Sequence, residues 1–181
     1  MRLIVHNERV FSVEDFLGAG ECEALIELAE ARGFAAADVR APGGARTMPQ
    51  VRNNERVVFE SPDWVQRLWR GLDGIALPLL DGESAIGLPR ALRFYKYGPG
   101  QRFRMHKDGP WLEDGRGSRL TLLVYLNDGF AGGDTDFRSF RVVPRRGAAL
   151  LFVHDTWHEG AAVESGCKYV LRSDVMYAPA V

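Results

Sequence analysis

The residues best suited to chemistry lie in the stretch Arg93 to Asp108, RFYKYGPGQRFRMHKD, where Tyr97 and a Gly-Pro-Gly turn precede a His-x-Asp pair. If the chain from Phe103 is extended, residues i and i+2 share a face, so His106 and Asp108 project the same way from Cα atoms about 6.5 Å apart. Both side chains then reach toward one metal ion. A neutral imidazole beside a hard carboxylate suits a divalent first-row metal, and one further His completes the two-His, one-carboxylate set that binds non-haem iron with open coordination positions. His158 is the candidate third ligand. A His-x-Asp pair alone is a common coincidence, so the reading needs more than these two residues.

His154 and His158 also stand four apart, the spacing of a zinc hydrolase helix. That motif demands His-Glu-x-x-His on a long helix with the Glu as general base. Here the second residue is Asp155, the pair follows the strand-like ALLFV of residues 149–153, and Gly160 closes the segment. His154 is therefore expected in a loop or behind the site, and His6 on the surface.

The elements that must position these residues change character along the chain. Cys22, Leu25, Ile26 and Ala29 recur at helical spacing before Gly33, which predicts a helix over 20–33 packed on a sheet. Cys22 reads as a small buried apolar residue. Ser61-Pro62-Asp63 predicts a second helix start with a hydroxyl cap, and Val65, Leu68, Trp69 and Leu72 form its apolar stripe, running on toward Leu77. Residues 34–54, rich in Ala, Gly, Pro and Arg, read as a functional flap or a locally disordered segment. A strand entering the core follows, with Arg52 and Arg56 on either a substrate-facing side or a solvated edge. After Gly82 the period shortens: 92–97, 120–126, 135–140, 148–153, Val163 and 169–176 predict strands separated by turn residues. Helices first and strands after is an α+β pattern whose strands close into a sandwich or barrel.

The 181 residues support one domain with a sizeable core, and 46% apolar with 26% charged residues is ordinary for a globular chain. A formal charge of −1 offers no basic patch for a phosphate backbone, so no nucleic-acid partner is expected. With two separated cysteines, no signal-peptide core near Met1 and no apolar run long enough for a bilayer, the expectation is a reduced, cytoplasmic setting and no membrane.

Taken in order, Tyr97, His106-x-Asp108, Arg119 to Asn127, Gly132-Gly133-Asp134-Thr135-x-Phe137, Pro144-x-x-Gly147, His158 and Lys168 resemble the prolyl 4-hydroxylase-like branch of the 2-oxoglutarate and Fe(II)-dependent dioxygenases over residues 90–178. The resemblance implies a double-stranded β-helix, or jelly roll, over 90–181, with 1–89 supplying support helices and the flap. It implies His106, Asp108 and His158 as iron ligands. It also implies that Tyr97, nine residues before the first ligand, and Lys168, ten after the last, bind 2-oxoglutarate. Ascorbate enters as a reductant. If 168–172 is a strand, Arg172 shares the face of Lys168 and is a second candidate cation for the co-substrate, unless it pairs with Asp174.

The implied reaction hydroxylates an amino-acid residue or a small molecule, with release of succinate and carbon dioxide. Collagen-type members tend to carry Trp after the co-substrate Lys, where this chain has Tyr169, and Phe103 stands where Tyr is common. A prolyl peptide is therefore one substrate among others, which include free amino acids, small metabolites and residues of another protein. Trp111, just after the metal pair, either contacts substrate or plugs its loop against the core. The rival reading is a jelly-roll or cupin-like module that binds metal or ligand without turnover.

Overall fold

Burial with a period of two organises the fold, as expected for strands covered on both faces. Along the strand Arg116–Tyr125, Leu120, Leu122 and Val124 enter a core shared with the helices, while Leu123 and Tyr125 enter a second core on the opposite side. The computed structural model describes residues 1–41, 44–46 and 48–180. Its major sheet runs, in spatial order, Arg2–Asn7, Val10–Glu14, Ala149–Val153, Arg116–Tyr125, Lys168–Pro179, Ala91–Tyr97, Glu55–Glu60 and Ala35–Ala36. A smaller sheet is ordered Arg141–Val142, Thr135–Asp136, His158–Gly160 and Phe103–His106. The strand pairings are antiparallel, and the two sheets enclose Tyr95, Tyr125, Leu150, Phe152 and Val170. This is the jelly roll expected over the second half of the chain, with helices on its outer face.

The helix Ala19–Arg32 buries Cys22, Leu25 and Ala29 against the sheet, and Gly33, at φ 82°, stops it. At its other end Glu21 accepts a hydrogen bond from the Gly18 amide, which satisfies one of the orphan donors of the first turn. The second helix, Pro62–Gly71, is shorter than expected and ends well before Leu77. Ser61 makes no side-chain capping bond, so the fixed φ of Pro62 and the charge of Asp63 hold that start. Leu68 and Leu72 are buried, and Trp64, Val65 and Trp69 pack partly against the same core.

The amino-terminal half contributes more than helices, because Arg2–Asn7, Val10–Glu14 and Glu55–Glu60 extend both sides of the major sheet. Strand Arg2–Asn7 was not legible, since its burial alternates only weakly at an exposed edge. The expected strand over 135–140 shrinks to Thr135–Asp136, because Phe137 turns back to accept from Ser139 and donate to Phe140. Within residues 34–54, the pairs Ala35–Ala36 with Glu55–Glu60 and Val39–Ala41 with Gly44–Arg46 are ordered strands. Residues 42, 43 and 47 of the expected flap lie outside the described residues. Among the described residues no helix is long and apolar enough to cross a membrane.

Candidate active site

His106 ends the strand Phe103–His106, and His158 opens the strand His158–Gly160 directly opposite it in register. Sheet pairing thus closes the 52-residue gap between the two imidazoles, which the sequence leaves open. Asp108, two residues on, turns into the same space, and the ligand-capable atoms of the three lie within 4.8 Å of one another. Their separations are 3.5 Å from His106 Nε2 to Asp108 Oδ1 and 3.7 Å from His158 Nε2 to Asp108 Oδ2.

The surroundings fix which atoms face the centre. His106 Nδ1 lies 2.7 Å from the Arg104 carbonyl and His158 Nδ1 lies 2.9 Å from the Thr156 carbonyl, so each Nδ1–H donates to backbone and each Nε2 lone pair points inward. Burial pushes the His158 imidazole down to about 4, which keeps it neutral and able to ligate. Burial alone would raise Asp108, but Arg172 outweighs it and, with the two imidazoles, holds the carboxyl well below its usual range. Asp108 Oδ2 accepts from Thr121 Oγ1 at 2.6 Å and faces Arg172 Nη2 at 3.1 Å. Oδ1 is left open toward the two imidazoles, a donor set that fits a small divalent ion.

Behind the carboxylate runs a hydrogen-bonded chain. Thr121 gives its proton to Asp108, so His154 Nδ1–H donates to Thr121 Oγ1 at 3.0 Å. His154 Nε2 then accepts from Ser118 Oγ at 2.7 Å, and Ser118 Oγ in turn accepts from the Trp111 amide at 2.8 Å. Neutral His154, its pKa lowered by burial, is the only form consistent with this order. His154 therefore orients a ligand through Thr121. The lone Thr in the apolar run Leu120 to Leu126 was the signal for Thr121, since a buried hydroxyl needs a partner.

The inner side of the site is a narrow chamber of about 40 Å³ lined by Tyr97, Leu123, Thr135, Lys168 and Val170 together with the three ligands. Lys168 and Tyr97 are directly paired across adjacent strands. Lys168 is 3% exposed and lies 5.4 Å over the Tyr97 ring and 5.5 Å over the Tyr125 ring. Its Nζ donates to the Gly133 carbonyl at 2.5 Å, and among the described residues no carboxylate pairs with it. Burial pushes this ammonium down to about 8. A buried cation with no carboxylate in contact, and only Asp134 acting on it from farther off, fits a ligand that brings a carboxylate. Burial raises Tyr97 to about 12, so its hydroxyl stays protonated as a donor.

Arg172 does not extend toward Lys168. Its guanidinium lies between Asp108 and Asp174, 3.5 Å from the latter, and 3.5 Å from the Tyr95 hydroxyl. Arg172 lines the chamber wall and makes the expected pair with Asp174. His6 is half-buried, 2.7 Å from Ser12 Oγ and stacked on Phe140, rather than a plain surface residue.

On the outer side His106 and Asp108 border a cleft of about 500 Å³. Arg52 and Arg56 both line it, so the solvated-edge alternative does not hold for them, and Arg52 is only 4% exposed. Trp111 forms part of its wall and carries Arg93 at 5.1 Å over its ring.

Comparison with known proteins agrees with this geometry. Residues 92–173 match the family model described as the 2OG-Fe(II) oxygenase superfamily. No curated protein matches the chain significantly. Among solved structures, the viral collagen prolyl hydroxylase of Paramecium bursaria Chlorella virus-1, in its 2OG complex, is 24% identical with a TM-score of 0.69, over 94% of this chain and 97% of that one. A Pseudomonas putida prolyl-4-hydroxylase is 18% identical with a TM-score of 0.67, over 92% and 91%. A Trichoplax adhaerens prolyl hydroxylase, in complex with a hypoxia inducible factor oxygen degradation domain peptide fragment, is 16% identical with a TM-score of 0.68, over 93% and 84%. The fold is shared with these proteins. The segment that matches the 2OG-Fe(II) oxygenase superfamily, whose enzymes use Fe(II) and 2-oxoglutarate, carries all three metal ligands and the Tyr97–Lys168 pair.

Proposed function

We propose that the protein hydroxylates a C–H bond of an amino-acid residue, prolyl or other, or of a small molecule, working as one unit in which residues 1–89 brace a catalytic core over 90–181. The overall balance is R–H + O₂ + 2-oxoglutarate giving R–OH + succinate + CO₂. The observation that carries this reading is the cluster of His106, Asp108 and His158, with ligand atoms within 4.8 Å.

His106, Asp108 and His158 would hold the iron, and Lys168 with Tyr97 would grip the remote carboxylate of the co-substrate. When bound, the iron supplies activation of dioxygen coupled to oxidative decarboxylation of 2-oxoglutarate. The rest is the work of this chain. The carbonyls of residues 104 and 156 keep both imidazoles in the ligating tautomer. Thr121 and Arg172 hold Asp108 Oδ2, so the carboxylate presents its other oxygen. Leu123 and Val170 line the inner chamber and limit water there.

The prolyl alternative draws support from the structural neighbours, which are described as prolyl hydroxylases. The test is succinate formation in air by the iron-loaded protein with 2-oxoglutarate, alone and with prolyl peptides or free amino acids. Succinate that depends on iron and rises with one of these compounds supports the reading. Absence of any iron-dependent succinate would leave a binding module.

A further inference from the structure

The outer cleft holds more positive charge than its own acids balance. Arg52, Arg56, Arg93, Lys107 and Arg172 line it against two carboxylates, Asp38 and Asp108, and Asp108 belongs to the metal. Arg93 and Arg172 share Asp174 beneath the cleft wall. Arg52 has no such relief. Its guanidinium lies 4.3 Å over the Tyr95 ring and 4.5 Å over the Phe103 ring, its Nε donates to Asn54 Oδ1 at 2.6 Å, and among the described residues no carboxylate pairs with it. Its Nη2 is buried without a hydrogen-bond partner, as are Arg93 Nε and Arg172 Nε.

A guanidinium buried in this way is unfavourable unless something compensates it, and its orphaned N–H beside a cleft is suited to meet a carboxylate. The place is also right for a substrate. Phe103, under Arg52, stacks on the metal ligand His106 with ring centroids 3.6 Å apart, so a group held by Arg52 is one ring away from the iron position. Neither Arg52 nor Arg56 lines the inner chamber where the co-substrate binds. Tyr95 reports the same field: burial alone would raise its phenol, yet Arg172, Arg52 and Arg93 bring it down to about 7. The non-charged wall, Val39, Val51, Val58 and Trp111, accommodates an apolar body behind the charge.

We propose that the outer cleft selects a substrate bearing a carboxylate, which Arg52 and Arg56 receive while the C–H to be hydroxylated faces the metal. The carboxylate comes either from a free small acid or from an acidic residue beside the target in a polypeptide. The assignment rests on the oxygenase reading for its consequence, but the charge preference itself needs no turnover.

The test is calorimetric titration of the protein loaded anaerobically with Fe(II) and saturating 2-oxoglutarate. Benzoate and benzamide are the small-molecule pair, and blocked alanine pentapeptides with a central Asp or Asn are the polypeptide pair. The acid of at least one pair should bind about tenfold or more tighter than its amide, the range of a charge-assisted hydrogen bond. The pair with the larger ratio identifies the source. Arg52→Gln should erase the preference. Arg56→Glu, on a half-buried position that tolerates the change more readily, should invert it so that benzylamine binds better than benzoate. Three results would overturn the assignment: equal binding of acid and amide in both pairs, an acid preference that survives Arg56→Glu, or acid binding that weakens in proportion to added 2-oxoglutarate. Loss of iron-dependent succinate formation with the acid preference intact would sink the oxygenase reading alone.

Discussion

The inner chamber and the outer cleft share Tyr95, Phe103, His106, Asp108 and Arg172 as a common wall, yet they are built by different means. The chamber is sheet-built: Lys168 pairs with Tyr97 and Val170 with Tyr95 across two neighbouring strands, so the Lys168 cation is fixed by backbone register. The cleft takes its distinctive residues from the strand Glu55–Glu60, next to the sheet's edge, the segment around Val39 and the Gly109-Pro110-Trp111 loop. One region is small and adds one cation, Lys168, to the shared Arg172, while the other is large and adds four, Arg52, Arg56, Arg93 and Lys107. A rigid sheet suits a co-substrate that never changes, and edges and loops suit the partner that distinguishes one enzyme from another.

The strongest way to break this division is to remove the wall the two regions share. His106→Ala or Asp108→Ala should lower iron-dependent succinate formation by more than about 100-fold, because partners that merely orient ligands are already worth 10- to 100-fold. Retention of most activity would mean that the shared wall is not the metal centre. Next in size is the chamber's own cation. Lys168→Met should raise the KM for 2-oxoglutarate by about 10- to 100-fold, the worth of a charge-assisted hydrogen bond, with Lys168→Arg recovering part of it. If Lys168→Met instead altered only the response to substrate, the assignment of the chamber would be wrong.

The pH dependence sharpens the comparison further. Lys168 is pushed down to about 8 in the unliganded chamber, and an anion favours its protonated form. The KM for 2-oxoglutarate should then be flat below about pH 8 and rise about tenfold per unit above it, a rise that Lys168→Arg removes. The smallest effect is on stability of the metal-free protein. Its His158 titrates near 4 folded and near 6.5 unfolded, so the unfolded chain takes up the proton first as pH falls. The contribution is complete above about pH 6.5 and is lost progressively toward pH 4. A thermal midpoint that declines by several degrees over that window, less so in His158→Gln, is the expected outcome. The arginines of the cleft stay charged throughout and add nothing to this limb.

Legibility in the sequence follows the same division. His106, Asp108 and the Tyr97 and Lys168 spacings were readable because alternation along a strand places i and i+2 together, and a fixed number of residues across a strand and its turn fixes a register. Gly100, at φ 78°, lets the Gly-Pro-Gly turn carry the chain from the strand of Tyr97 to the strand of His106. The jelly roll was readable from short strands with turn residues between them. The pairing of His158 with His106 depended on resemblance, since no local pattern encodes a contact over 52 residues. Arg52 remained ambiguous between an edge and a pocket, because a charged residue on an edge strand reads as solvated until the cover supplied by Tyr95 and Phe103 is known. The chain from Trp111 through Ser118, His154 and Thr121 was unreadable, as it joins three separate segments through two hydroxyls, one imidazole and a single backbone amide.

The central claim is that two imidazoles and one carboxylate hold an iron whose organic partner Lys168 anchors. Anaerobic titration of the metal-free protein with Fe(II) and 2-oxoglutarate, followed in the visible, addresses it most directly. The account predicts a metal-to-ligand charge-transfer band that saturates at one iron per chain, is absent in His158→Ala and needs far more 2-oxoglutarate in Lys168→Met. No band with the intact protein, or a band indifferent to both substitutions, would contradict it.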